Sequence, residues 1–221
     1  MLDQAVAIDG PGASGKTSVG REVARQLDFR FMDTGLMYRA ATWQAMRQRI
    51  PVYEADALTE MTKAMDINLT ATECGDRLLI DGVDATSELR TPDIDRNVSA
   101  VSAVEGVRRE LVSQQRGIAE RGPIVMVGRD ICTTVLPDAR TKIYLDASAE
   151  VRADRRYAEM NDLGMAVTPQ QVFADIQRRD RIDSERAVTP LMVADGAIVI
   201  NTDDLTIPEV VDKIIKAVQG D

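Results

Sequence analysis

Asp9-Gly10-Pro11-Gly12-Ala13-Ser14-Gly15-Lys16-Thr17-Ser18 follows directly on an apolar run, Ala5-Val6-Ala7-Ile8. From Gly10 to Thr17 the stretch fits G-x-x-x-x-G-K-[ST], a phosphate-binding loop set between a strand and a helix. Its glycines let the backbone wrap an anion closely, because they accept positive φ without a steric penalty. Successive N–H groups then point at phosphate oxygens, backed by the positive end of the following helix. Gly10, Pro11, Gly12, Ala13, Ser14, Gly15, Lys16, Thr17 and Ser18 are therefore the candidate nucleotide-binding residues. Lys16 is expected to reach the β- and γ-phosphates of a triphosphate, and the Thr17 hydroxyl to ligate Mg2+. With no nucleotide bound, the Lys16 ammonium is expected to face solvent. Val19, Val23 and Leu27 recur every four residues after Lys16, the spacing of an amphipathic helix.

The same letters hold a rival reading. Gly10-x-Gly12-x-x-Gly15 is also a dinucleotide fingerprint, and Asp33 lies near the place of its ribose-binding acid. Lys16-Thr17 favours the triphosphate, since that pair suits a triphosphate with its metal and has no special role under a pyrophosphate. An NAD-dependent dehydrogenase and a nucleotide-dependent switch or binding protein stand as the alternatives.

Composition narrows the chemistry. The chain has 221 residues, 44% of them hydrophobic, enough for one sizeable core with an insertion or for two small domains. No apolar run approaches the length that crosses a bilayer, and no basic-then-apolar leader opens the sequence, so a soluble, cytoplasmic protein is expected. Cys74 and Cys132 are far apart without metal-like spacing, which makes reduced thiols the default. There is no histidine, which removes Ser-His-Asp and Cys-His nucleophile systems and His-bound zinc. Carboxylates, Lys, Arg and a hard metal remain, the kit that phosphoryl transfer uses. The net charge of −9 argues against a general nucleic-acid binder. Of the 27 basic residues 22 are Arg, a bias that suits bidentate phosphate binding and equally a GC-rich genome.

Five short apolar runs read as buried strands: Ala5–Asp9, Phe29–Asp33, Ile124–Val127, Lys142–Asp146 and Ala197–Asn201. Helical patterns between most of them predict a parallel sheet covered on both faces. The long gap between the second and third runs must hold an inserted subdomain. It opens with a helix near Leu36–Arg49 and closes with one near Val101–Glu120. Between these helices, Asp66–Thr70 and Arg77–Val83 alternate as a small antiparallel sheet, with turns at Cys74-Gly75-Asp76 and Asp81-Gly82. Glu150–Arg186 reads as a helical stretch, and Ile207–Val218 as a structural helix beginning at Pro208.

Ligands of open α/β sheets bind beyond the C-terminal strand ends. Three such ends carry polar clusters: the loop itself, Asp33-Thr34-Gly35-Leu36-Met37-Tyr38-Arg39, and Gly128-Arg129-Asp130. A fourth cluster, Arg178 to Arg186, places Arg179, Asp183 and Arg186 on one helical face. Arg152, Arg155 and Arg156 form a further set after the fourth strand. Near a phosphate loop, Arg129, Arg152, Arg155 and Arg156 are candidates for neutralising the transferred group. The same spacings also serve ion pairs on a solvated face.

As an ordered set, Ile8-Asp9-Gly10 into the loop, Asp33-Thr34-Gly35-x-x-Tyr38-Arg39, Val98-Ser99-x-x-Ser102, Val107-Arg108, Gly128-Arg129-Asp130 and Arg179-Asp180-x-x-Asp183-x-x-Arg186 resembles the bacterial cytidylate kinases over nearly the full length. The resemblance implies transfer of the γ-phosphoryl of ATP, with Mg2+, to CMP or dCMP by a monomeric enzyme. It implies that Arg39, Arg129 and Arg186 hold the CMP phosphate. Thr34, Tyr38, Ser99, Arg108 and Asp130 would line the cytosine pocket, and Arg179 and Asp183 would reach the ribose. The expected fold is a three-layer α/β/α phosphate-loop core, residues 1–36, 121–149 and 187–221. An inserted NMP-binding subdomain would span 37–120, and a short helical lid 150–186. The sequence departs from the family pattern at Val127, where an acidic residue is usual, and at Cys132, where glycine is usual. The first puts a water-mediated metal contact from that position in doubt.

Overall fold

The computed structural model describes residues 4–72 and 75–220. The chain opens with β1 (Ala5–Asp9), α1 (Lys16–Leu27) and β2 (Arg30–Asp33). It continues through α2 (Gly35–Arg47), α3 (Ala55–Ala64), β3 (Ile67–Thr72), β4 (Gly75–Ile80), β5 (Val83–Asp84), α4 (Pro92–Ala103) and α5 (Glu105–Ala119). It ends with β6 (Ile124–Gly128), β7 (Thr141–Asp146), α6 (Ala149–Asp162), α7 (Pro169–Glu185), β8 (Ile198–Asn201) and α8 (Ile207–Gln219). Two compact units result, one of residues up to 32 with 119 onward, the other of residues 33–118.

The first unit is built on the expected five-stranded parallel sheet, in the order β2-β6-β1-β7-β8. β1 runs parallel to both β6 and β7, with Val6 opposite Val125 and Thr141. The strand sequences are almost continuously apolar because both faces of the central strands are buried. On one face Val6, Ile8, Val125, Val127, Ile143 and Leu145 meet Val19 and Val23 of α1 and Val210, Val211 and Ile214 of α8. Each such side chain, fully buried, contributes about 1.5–3 kcal/mol. The other face carries Ala5, Ala7, Ile124 and Met126, also buried. A glycine at position 20 lets α1 approach closely, since a Cβ there would stand 2.6 Å from a Val127 methyl. A smaller cluster, Ala153, Val172 and Ile176 with Ala13, Tyr157, Met160 and Phe173 around it, joins α6 and α7 to the phosphate loop.

The second unit holds the expected antiparallel sheet, β3-β4-β5. The turn expected at Cys74-Gly75-Asp76 begins on Cys74, outside the described residues, and β4 already starts at Gly75. The single helix expected near Val101–Glu120 is instead two. α4 starts on a Thr91 side-chain cap with Pro92 at its first turn, and Val104 adopts an extended backbone that separates it from α5. The Glu150–Arg186 stretch likewise divides, because Thr168-Pro169-x-Gln171 forms a capping box that starts α7 afresh. α3 had no counterpart in the sequence reading. Among the described residues no helix is long and apolar enough to cross a membrane.

Candidate active site

The phosphate loop leaves β1 at Gly10, whose φ of +150° and position both demand glycine: a Cβ would lie 2.1 Å from the Leu145 carbonyl oxygen. Gly15 (φ +92°) and Ala13 (φ +60°) complete the curl. Ala13 is the one non-glycine in the loop held in the left-handed region, a conformation that costs about 1 kcal/mol. α1 then begins at Lys16 with no side-chain cap and no acidic residue in its first turn, so its terminal N–H groups and dipole are directed at the loop. Lys16 differs from expectation. It is only 7% exposed, because its ammonium folds across the loop to donate to the Pro11 carbonyl (2.6 Å) and the Ser14 hydroxyl (3.3 Å). The Pro11 carbonyl and the Ser14 hydroxyl give the cation partners that solvent would otherwise supply. Thr17 is half-buried beside it and Ser18 is exposed.

Beyond β6, Gly128-Arg129-Asp130 meets the end of α7 through two crossed pairs. Arg129 Nε donates to Asp183 Oδ2 at 2.8 Å, and Arg186 lies 3.5 Å from Asp130 Oδ1. Burial alone would raise the Asp183 pKa. Arg129, then Arg186 and Arg179, outweigh it and hold the carboxyl below its ordinary value. The guanidinium of Arg129 also reaches the phosphate loop, for a Cβ on Gly12 would lie 3.4 Å from Arg129 Nη2. Arg179 sits half-buried on the same helix as Asp183. Sequence reading thus found Arg129, Asp130, Asp183 and Arg186, and the structure groups them.

The three arginines of α6 part company. Arg152, 5% exposed, donates through Nε to the Ala147 carbonyl and through Nη1 to the Gly12 carbonyl (3.3 Å). It also makes a bidentate pair with Asp180 at 3.0 and 2.7 Å. Arg155 donates to the Thr202 hydroxyl and carbonyl, and Arg156 pairs with Glu159. Arg152 therefore grips the loop's backbone while α7 grips Arg152. Asp180 stands in the Arg179-Asp180-x-x-Asp183 motif, which by itself gives it no role. The signal that could have found it is its place one helical turn before Asp183 on the same face.

The second unit assembles a separate cluster. Arg108, 2% exposed, donates to the Ser102 carbonyl (3.0 Å) and lies 5.2 Å from the centre of the Tyr38 ring, within cation–π range. Ser102 donates to the carbonyl of Ser99, which is buried. Thr34, also buried, precedes α2. Arg39, the next residue after Tyr38, turns elsewhere: it donates to the Leu89 carbonyl (2.8 Å) and pairs with Asp95 (2.6 Å). Ser102 thus belongs to the Arg108 cluster, whereas Asp95 serves Arg39 outside it, and the sequence pattern gives neither a role.

For a divalent cation the side-chain donors are few. Val127 is packed in the core against α1, and the Asp9 carboxylate accepts two backbone N–H groups. Among the described residues no group of three or more Asp, Glu, His or Cys could hold a metal. Thr17 at the start of α1 remains, which fits Mg2+ bound mainly by nucleotide phosphates and water rather than by a protein cage. At the other departure, burial drives the Cys132 thiol far above its ordinary pKa, with Asp9 adding to the effect. Its Sγ lies 3.4 Å from the Ala7 carbonyl, so it is an inert core group.

Residues 6–220 match the family model described as cytidylate kinase. The chain is 46% identical over 214 residues to the cytidylate kinase of Desulforamulus reducens, covering 97% of this chain and 96% of that protein. It is 43% identical over 214 residues to the cytidylate kinase of Bacillus subtilis, with the same coverage. It is also 45% identical to a bifunctional pantoate ligase/cytidylate kinase of Synechococcus sp., over 96% of this chain and 40% of that longer protein. Among solved structures, shikimate kinase from Bacteroides thetaiotaomicron shares the fold, with a TM-score of 0.50 at 14% identity over 97% of this chain and 98% of that one.

Proposed function

The chain belongs to the cytidylate kinase family, and from that premise we propose how its residues divide the transfer of a phosphoryl group to CMP. It is a nucleoside monophosphate kinase. The donor in this reading is ATP, and dCMP serves as a second acceptor. The terminal P–O bond of ATP breaks to leave ADP, while a phosphate oxygen of CMP forms the new P–O bond of CDP.

Gly10 to Ser18 hold the donor, with Lys16 exchanging its Pro11 and Ser14 contacts for the β- and γ-phosphates. Mg2+, carried by Thr17 and the nucleotide, would neutralise phosphate charge. Arg129 and Arg186 take the acceptor phosphate, exchanging carboxylate partners for phosphate oxygens, and Arg39 joins them by leaving Asp95. As those arginines turn to phosphate, Asp183, with Arg179, becomes available to ribose hydroxyls. Thr34, Tyr38, Ser99, Arg108 and Asp130 read cytosine. Arg152 positions the loop, and Arg155 and Arg156 belong to the helical lid of residues 150–186, closing to exclude the water that would otherwise hydrolyse ATP. No general base is needed, because the acceptor oxygen is already ionised. A free thiol at Cys132 and a nucleotide substrate both fit the cytoplasm.

The observation that carries this reading is the Arg129 guanidinium lying against Gly12. It supports the reading because the guanidinium assigned here to the acceptor phosphate lies beside the loop assigned here to the donor. A coupled assay of ADP release over CMP, dCMP, UMP, AMP and shikimate tests it. Turnover should be fastest with CMP and dCMP, and preference for another acceptor would overturn the assignment.

A further inference from the structure

Asp9 ends β1 immediately before the phosphate loop, is 1% exposed, and has no part in the transfer as derived above. Its two carboxylate oxygens each accept one backbone N–H, Oδ1 from Ile131 and Oδ2 from Cys132, both at 2.8 Å. These are the first two residues of a short helical turn, Ile131–Val135, whose opening N–H groups need acceptors. Asp130 is the capping residue by position, yet its side chain makes no cap bond and lies instead beside Arg186. A carboxylate from a different strand therefore does the capping, across 122 residues of sequence.

The same residue also fixes the other side. In the β1–β6 ladder Asp9 stands opposite Gly128. One residue thus pins Gly128 through its backbone and Ile131 and Cys132 through its side chain, leaving only Arg129 and Asp130 between the two anchors. We propose that Asp9 is a positioning residue for phosphoryl transfer, fixing Arg129 and Asp130 relative to the phosphate loop that begins at its own C-terminal neighbour. This rests on the reading that Arg129 and Asp130 meet the acceptor nucleotide. An ionised carboxylate suits the task because it accepts at both oxygens, whereas an amide would set its own N–H groups against one of the two donors. Burial raises the pKa of this carboxyl to about 6, an effect the two N–H bonds reduce and the neighbouring Asp130 charge reinforces.

The test uses the full chain with Asp9→Asn and Asp9→Glu, measuring KM for CMP and for ATP separately. Losing a bond to a charged acceptor is worth roughly tenfold or more in an equilibrium. Asp9→Asn should therefore raise KM for CMP at least about tenfold while KM for ATP stays within about threefold. Asp9→Glu, which keeps both acceptors at a longer reach, should recover part of the loss. Calorimetric titration with CMP alone should show the same weakening without any turnover. A purely structural cap predicts lower thermal stability with both KM values unchanged, and that result would overturn the proposal. An equal rise in both KM values would overturn it too, since the whole loop would then have loosened. A wild-type enzyme inactive on CMP would defeat the functional reading and this inference together. A wild type active on CMP with an Asp9→Asn variant of normal KM would defeat this inference alone.

Discussion

A buried charge at Asp9 has a consequence for stability that can be measured without substrate. Its carboxyl titrates at about 6 in the folded chain against an ordinary 3.8. At about 1.4 kcal/mol per pKa unit, keeping it ionised at neutral pH costs about 3 kcal/mol. The folded state holds this proton more tightly than the unfolded state. Stability contributed by the group is therefore fully present below pH 3.8 and is lost as pH rises through about 6. Near pH 5 the slope should approach about 1.1 kcal/mol per pH unit. In Asp9→Asn the titration disappears. The mismatched amide costs about 1–3 kcal/mol, but at every pH equally, so it drops out of the comparison. The remaining carboxylates, including Asp84 at about 2 and the depressed Asp183, lose stability in acid in both proteins and also cancel. Of the groups that face Asp9, the Cys132 thiol stays protonated throughout, and Asp130 adds to the raised pKa of Asp9. Urea unfolding followed by circular dichroism from pH 4 to 7.5 should show the variant gaining about 2–3 kcal/mol on the wild type as pH rises. Parallel stability curves would refute a buried, ionised Asp9.

Asp180→Asn removes the counter-charge of the buried Arg152 and should cost about 2–3 kcal/mol of stability, with KM for ATP rising more than KM for CMP. Unchanged urea midpoints would mean the pair contributes nothing. Gly10→Ala drives a Cβ into the Leu145 carbonyl, a backbone atom that cannot yield, and should abolish ATP binding in a titration. Gly164→Ala, where a Cβ meets nothing within 4 Å, should cost only the strain of φ +71°, about 1 kcal/mol by thermal unfolding. Asp130→Asn supplies an amide that can donate to the uracil carbonyl, so the CMP-to-UMP ratio of kcat/KM should fall by roughly tenfold or more. An equal loss on both monophosphates would remove Asp130 from the base pocket and leave it only as the partner of Arg186.

The phosphate loop was legible because its constraints are local. A glycine at 10 is demanded by the backbone's own path, and the strand before it and helix after it announce themselves by apolar spacing. Strand positions were legible for the same reason: residues buried on both faces must be apolar. The pairings were not. Asp9 meets Ile131, Arg39 meets Asp95 and Arg152 meets Asp180 across long stretches of chain, and a sequence shows each charge without showing its partner. The i, i+3, i+4 spacing of Arg152, Arg155 and Arg156 suggested one shared target. Their side chains instead reach Gly12 with Asp180, Thr202, and Glu159. Lys16 was expected in solvent because the motif says what the lysine binds, not how the loop curls when nothing is bound. Val104 ended a helix that periodicity would have continued, since an extended residue between two apolar faces leaves the spacing almost undisturbed.

Incubating the protein with CMP, Mg2+ and ATP labelled at its γ-phosphate, then separating the products, follows the phosphoryl group itself. The label should appear in CDP in step with ADP formation, with little released as inorganic phosphate, and a folded Lys16→Ala variant should lose the transfer by about a hundredfold or more. Label found in inorganic phosphate rather than CDP, or transferred at wild-type rate by Lys16→Ala, would contradict a kinase built on this loop.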